Sequence, residues 1–105
     1  MEKISFRVST IKSEYEGIYI KEWRAFIGDQ KTAFYIQGYS KQFYNRLYED
    51  DPCFEKNSMK TYGAYEDDPR CIDGFIDEFS TLKEAKQRII EILKWEAKKK
   101  NDQNL

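Results

Sequence analysis

The last quarter of the chain is its strongest constraint on folding, because it reads as one long helix with a single apolar stripe. Thr81 and Glu84 stand in the Thr-x-x-Glu relation of a helix start. There the hydroxyl and the carboxylate each satisfy an N–H that the first turn leaves without a partner. Leu82, Ala85, Ile89, Ile92 and Leu93 follow at steps that place them on one face. Glu84/Arg88 and Glu96/Lys100 sit one turn apart as opposite charges, and Lys98-Lys99-Lys100 meets the negative end of the helix dipole. Residues 101–105 are expected to fray. Such a stripe has to be buried against another layer, and the residues before it supply β-strands.

Ile4, Phe6 and Val8 alternate with Lys3, Ser5, Arg7 and Ser9, the period of a half-buried strand. A polar connection, Lys12 to Gly17, leads to Ile18-Tyr19-Ile20 and then Trp23 to Ile27. The apolar set changes parity near Lys21-Glu22, as a bulge or two short strands would require. Gly28-Asp29-Gln30-Lys31 is a turn signal before the β-forming Thr32 to Ile36, so residues 22–38 read as a hairpin. Ser40 is placed to cap a short helix that points Phe43 and Leu47 at the core with Tyr44 and Tyr48 beside them, ending before Asp51-Pro52. Met59 to Tyr65 is a further strand candidate, and Ile72 to Phe79 a last one, interrupted at Gly74. The expected fold is α+β over one domain, residues 1–105. Three or four antiparallel strands carry a long C-terminal helix on one face, with a short helix and an acidic segment inserted. The core would join Leu82, Ala85, Ile89, Ile92 and Leu93 to Phe6, Val8, Ala25, Ile27, Phe34 and Ile36.

The acidic segment is the main functional feature. Tyr48-Glu49-Asp50-Asp51-Pro52 returns seventeen positions later as Tyr65-Glu66-Asp67-Asp68-Pro69. From Glu49 to Glu78 ten carboxylates face three cations, a balance of −7, while the residues before and after it are each +3. The overall −1 therefore hides charge segregation. Eight tyrosines add a residue type favoured at protein interfaces, because it covers much area with few rotatable bonds.

Several classes of chemistry are disfavoured. The chain has no histidine, so imidazole-based dyads and triads and His-bearing zinc sites are excluded, and two cysteines cannot complete a structural zinc tetrahedron. The acidic strings lack the alternating spacing and central glycine of a calcium loop. Paired carboxylates for glycoside hydrolysis are not distinguishable among nineteen acids. Cys53 stands among Asp50, Asp51 and Glu55, whose charges oppose thiolate formation, and Cys71 stands beside Arg70; both are expected to be free, unreactive thiols. No catalytic residue, metal or cofactor is therefore expected. The Met1-Glu2-Lys3 start lacks a signal-peptide layout and no long apolar run exists, which leads to a cytoplasmic expectation. Scattered Lys3, Arg7, Lys12, Lys21, Arg24 and Lys31 raise direct nucleic-acid binding as a second class.

A small, Tyr-rich domain with these paired carboxylates resembles the anti-CRISPR proteins of phages and mobile elements, in particular inhibitors of type II effector nucleases. The resemblance implies a non-enzymatic inhibitor in a bacterial host cytoplasm. Its acidic segment would imitate nucleic-acid backbone in a groove lined with Arg and Lys on an RNA-guided nuclease. The implied partner-binding residues are Glu49, Asp50, Asp51, Glu66, Asp67 and Asp68, with Tyr48 and Tyr65 as flanking anchors. A second, partial resemblance joins Trp23–Ser40 to Phe79-Ser80-Thr81-Leu82-Lys83-Glu84-Ala85. Together they are similar to the arm-type DNA-binding domains of phage integrases, three strands followed by a helix with a basic sheet face. That likeness implies a small DNA-binding domain as the alternative.

Overall fold

Gly28-Asp29 forms a two-residue turn, with Gly28 at φ 58°, and it joins β2 (Tyr19–Ile27) to β3 (Gln30–Tyr39). The computed structural model describes residues 2–51, 61–67 and 74–103. Around the hairpin stand β1 (Ile4–Lys12), α1 (Lys41–Leu47), β4 (Thr61–Glu66), β5 (Phe75–Phe79) and α2 (Leu82–Gln103). The strands form one antiparallel sheet in the order β1-β2-β3-β4-β5, each pairing with its neighbour in sequence. The sheet thus has five strands where three or four were expected. β4 and most of β5 fall within the acidic stretch from Glu49 to Glu78, which therefore contributes to the sheet as well as to its connections. Met59-Lys60 and Ile72-Asp73, the outer ends of the two strand expectations, lie outside the described residues, as do Cys53, Cys71 and residues 104–105.

Strand alternation divides the residues between two faces. One face collects Ala25, Phe34, Ile36 and Ala64, and α2 lies over β3, β4 and β5 there, burying Ala85, Ile89 and Leu93 against them. Leu82, Ile92, Ile4, Phe6 and Ile27 complete the margin as half-buried residues. Thr81 caps α2 as expected: its hydroxyl accepts the Glu84 N–H at 3.2 Å. The Glu84 carboxylate departs from the full box, accepting the Thr81 hydroxyl at 2.8 Å and the Ser80 hydroxyl at 3.4 Å.

Two core assignments are corrected. Val8 is 59 % exposed although it alternates correctly with Ile4 and Phe6. A helix about 10 Å wide cannot cover five strands spaced about 4.8 Å apart, and α2 lies away from β1 at this position. Leu47 is 41 % exposed, because α1 is under two turns long and packs through Phe43, which meets Tyr15 and Tyr39 at ring distances of 5.5 and 5.0 Å. The parity change in β2 is not a break between two strands. β2 pairs with β1 without interruption, its irregularity falls at Arg24/Phe26 on the β3 side, and Ile20 is buried on the face away from α2.

Candidate protein-binding surface

The sheet face turned away from α2 carries a tract of aromatic side chains, and the two acidic strings lie at its opposite ends. Ser40 starts the first end: its side chain accepts the Phe43 N–H at 3.2 Å, holding α1 so that its last turn delivers Tyr48. Tyr48 N–H donates to Tyr44 O at 3.0 Å, and Asp51 N–H donates back to Tyr48 O at 3.0 Å, so Tyr48-Glu49-Asp50-Asp51 is a compact turn. All four residues are exposed. Arg46 and Glu49 form an ion pair within this turn, and Arg46 also lies 5.4 Å from the Tyr15 ring.

From there the rings continue across the face. Tyr48 stacks on Tyr44 with centroids 6.4 Å apart, and Tyr44 meets Tyr39 edge-on at 6.2 Å and its hydroxyl bonds that of Thr61. The Tyr39 hydroxyl donates to Gln37 Oε1 at 2.7 Å. The Tyr39 hydroxyl also meets the Tyr65 hydroxyl at 2.9 Å, a contact in which either can be the donor. Tyr65 stacks on Tyr35 at 5.3 Å, and Arg24 lies 4.4 Å over Tyr35. Gly63 makes room for this, since a Cβ there would stand 2.7 Å from the Tyr65 hydroxyl oxygen.

The second string closes the tract. Tyr65 and Glu66 end β4, and Asp67 follows, its N–H donating to Ala33 O at 2.8 Å. Glu66 alternates to the α2 side, opposite Phe34. The Asp67 carboxylate accepts from Arg24 Nη1 at 2.7 Å, and the same nitrogen reaches Thr32 O at 3.4 Å. Arg24 is 14 % exposed and Asp67 56 %, so this is an ion pair at the rim of the tract. Asp68 lies outside the described residues. Thr61 and Glu66 are five residues apart on β4, about 17 Å, so the strings form two acidic poles rather than one patch.

Burial shapes the chemistry of the tyrosines. It raises the pKa of Tyr39 strongly, with the hydrogen bond to Tyr65 adding to it. Burial also raises Tyr44, and it raises Tyr35 with help from Asp67. These phenols therefore stay protonated donors at physiological pH, offering hydrogen bonds and ring area but no base. Among the described residues no group of three or more His, Cys, Asp or Glu could hold a metal ion, and no helix is long and apolar enough to cross a membrane.

The tyrosine tract was not anticipated as a unit. Its signal was present in the alternation Tyr35, Gln37, Tyr39 on one strand and Tyr65 on another, but only the register of β3 with β4 brings Tyr35 opposite Tyr65. No protein family, curated relative or solved structure matches this chain.

Proposed function

We propose that this chain is a non-enzymatic binding protein that occupies a basic nucleic-acid-binding groove on a bacterial defence nuclease, in the manner of an anti-CRISPR inhibitor. The observation that carries the reading is the tyrosine tract with an acidic pole at each end. Its centre has the ring-rich make-up of interface cores, and its ends have carboxylates suited to arginines that normally hold phosphate. Asp50 and Asp51 are exposed carboxylates of the first pole, beside Glu49, which pairs with Arg46. At the second pole Asp67 is already held by Arg24, so a partner arginine there has to share or displace that pair.

The test is cleavage of target DNA by a purified guide-loaded type II nuclease, with wild type and with Asp50→Lys/Asp51→Lys. Truncating a charge-assisted contact to a buried arginine costs about 2–5 kcal/mol, so the paired reversal should weaken inhibition by roughly 30-fold or more. Inhibition that survives the reversal places the interface elsewhere, and no inhibition across several nucleases refutes the reading.

A DNA-binding reading has one observation in its favour: Arg7 and Arg24 share the sheet face opposite α2. Both are engaged within the chain, Arg7 with Asp29 at 3.5 Å and over Phe26 at 3.9 Å, Arg24 with Asp67. Tight, salt-sensitive retention of duplex DNA by the isolated protein would favour it over the inhibitor.

A further inference from the structure

Both outer strands of the sheet are open among the described residues, and they carry opposite charge. β1 holds Arg7 and Lys12, with Lys3 just before it, and no carboxylate between Lys3 and Lys12. β5 holds Asp77 and Glu78 and no cation. Charged side chains on edge strands usually guard against pairing with another chain. Guarding every combination of edges needs the same sign on both. Opposite signs guard only β1 against β1 and β5 against β5, and leave β1 against β5 as the attractive combination.

The backbone phase of each edge follows from the pairings. Gly28 N–H donates to Lys3 O at 2.9 Å, which makes the odd residues of β1 face β2 and turns the N–H and C=O groups of Ile4, Phe6, Val8, Thr10 and Lys12 outward. On the other side, Asp67 N–H to Ala33 O aims the odd residues of β4 at β3 and the even ones at β5, in agreement with Glu66 N–H donating to Gly74 O at 2.9 Å. Asp77 and Phe79 therefore face β4, and Glu78 faces outward. Its N–H is covered by the Asp77 carboxylate at 2.8 Å, a side chain standing where a further strand would be.

We propose that the cationic edge of β1 in one copy of this chain pairs antiparallel with the anionic edge of β5 in a second copy, giving head-to-tail association. Antiparallel addition turns the second copy over, so residues on the α2 side of its β5 lie on the same side as Arg7. Setting Arg7 opposite Asp77 then places Glu78 opposite Phe6, two residues whose outward backbone groups match. Lys86 Nζ already lies 5.5 Å over the Phe6 ring, so both carboxylates meet a cation in one register. The Asp77 carboxylate exchanges the Glu78 N–H for Arg7, sharing or displacing the long 3.5 Å pair of Arg7 with the fully exposed Asp29, and frees that N–H for the new ladder. Because β5 spans only five residues, the contact is small and the association weak. Each copy keeps one open edge of each sign, so growth does not close at two.

Sedimentation velocity at low salt, from about 10 μM to 1 mM, reads this directly, in the range where weak contacts populate. The expected result is a weight-average mass rising from 12.6 kDa past twice that value without a plateau, and falling back as salt is added. Arg7→Glu and Asp77→Arg, both at exposed positions, should each remain monomeric, and a 1:1 mixture of the two should regain association, since each reversed edge then finds its opposite. A constant monomer mass overturns the proposal. So does a plateau at the dimer, association that persists in both single variants, or a mixture that stays monomeric when the wild type does not. None of these outcomes depends on the nuclease assay.

Discussion

Replacing Ile89 by alanine removes a side chain that is fully buried between α2 and the sheet. Three carbon groups leave the core at about 0.8 kcal/mol each, roughly 2.4 kcal/mol of transfer free energy. The cavity adds to this, because neighbours fixed on β3 and β4 relax only partly, which brings the total to about 3–4 kcal/mol. For a chain of this size each kcal/mol moves the melting midpoint by roughly 4–8 °C, so Ile89→Ala should melt about 15–25 °C below wild type. Urea denaturation followed by far-UV circular dichroism measures the same difference as a lower midpoint with an unchanged slope. Leu93→Ala, at 5 % exposure, should behave similarly. Leu47→Ala and Val8→Ala remove apolar groups that are already wet and should cost less than about 1 kcal/mol. If Ile89→Ala is no more damaging than Leu47→Ala, α2 does not close the core and the packing described above is wrong.

Three further outcomes are specific to this structure. A double-mutant cycle on Arg24 and Asp67 should give a coupling of about 0.5–1.5 kcal/mol, discounted because Asp67 is more than half exposed; a value near zero would free Asp67 for a partner. Tyr39 holds its proton above the ordinary value of 10.0, so its contribution to stability is complete below pH 10 and is lost as pH rises beyond it. Stability measured between about pH 9 and 11 should therefore fall, and Tyr39→Phe should flatten that fall; an equal slope in the variant would remove Tyr39 as its source. Thr81→Ala deletes the hydroxyl that accepts the Glu84 N–H and should cost about 1 kcal/mol in the same urea titration, while no loss would mean that the start of α2 is held by other contacts.

The sequence was most informative where local chemistry and periodicity agree. α2 combines a cap with a helical stripe, and Ala85, Ile89 and Leu93 are buried as that stripe requires. Gly28-Asp29 turns the chain in two residues, so the β2–β3 pairing follows from the turn itself. Val8 was misplaced for a reason that alternation cannot encode: a strand's apolar side is buried only where another layer reaches it, and α2 lies over β3, β4 and β5. Leu47 failed similarly, since a helical repeat says which residues share a face but not how far that face extends over a neighbour. At the candidate site, the repeated Tyr-Glu-Asp-Asp string suggested one acidic surface. Strand direction separates its two copies to opposite ends of β4, and cross-strand register joins them through tyrosines instead. Arg24 and Asp67 are 43 positions apart, beyond the range of any local rule.

The chain order of the sheet bears on how the protein is made. β1, β2 and β3 can pair as soon as residue 39 has emerged, because each needs only its immediate predecessor. Their apolar face then waits for α2, which begins at Leu82 and places its last buried residue at Leu93. At about 5–20 residues per second, the 43 residues from Tyr39 to Leu82 take roughly 2–9 s to synthesise. During that interval Ala25, Phe34 and Ile36 have no layer over them. A chain cut short before Ile89 would leave the sheet with an uncovered apolar side and open edges, a form prone to associate with other chains.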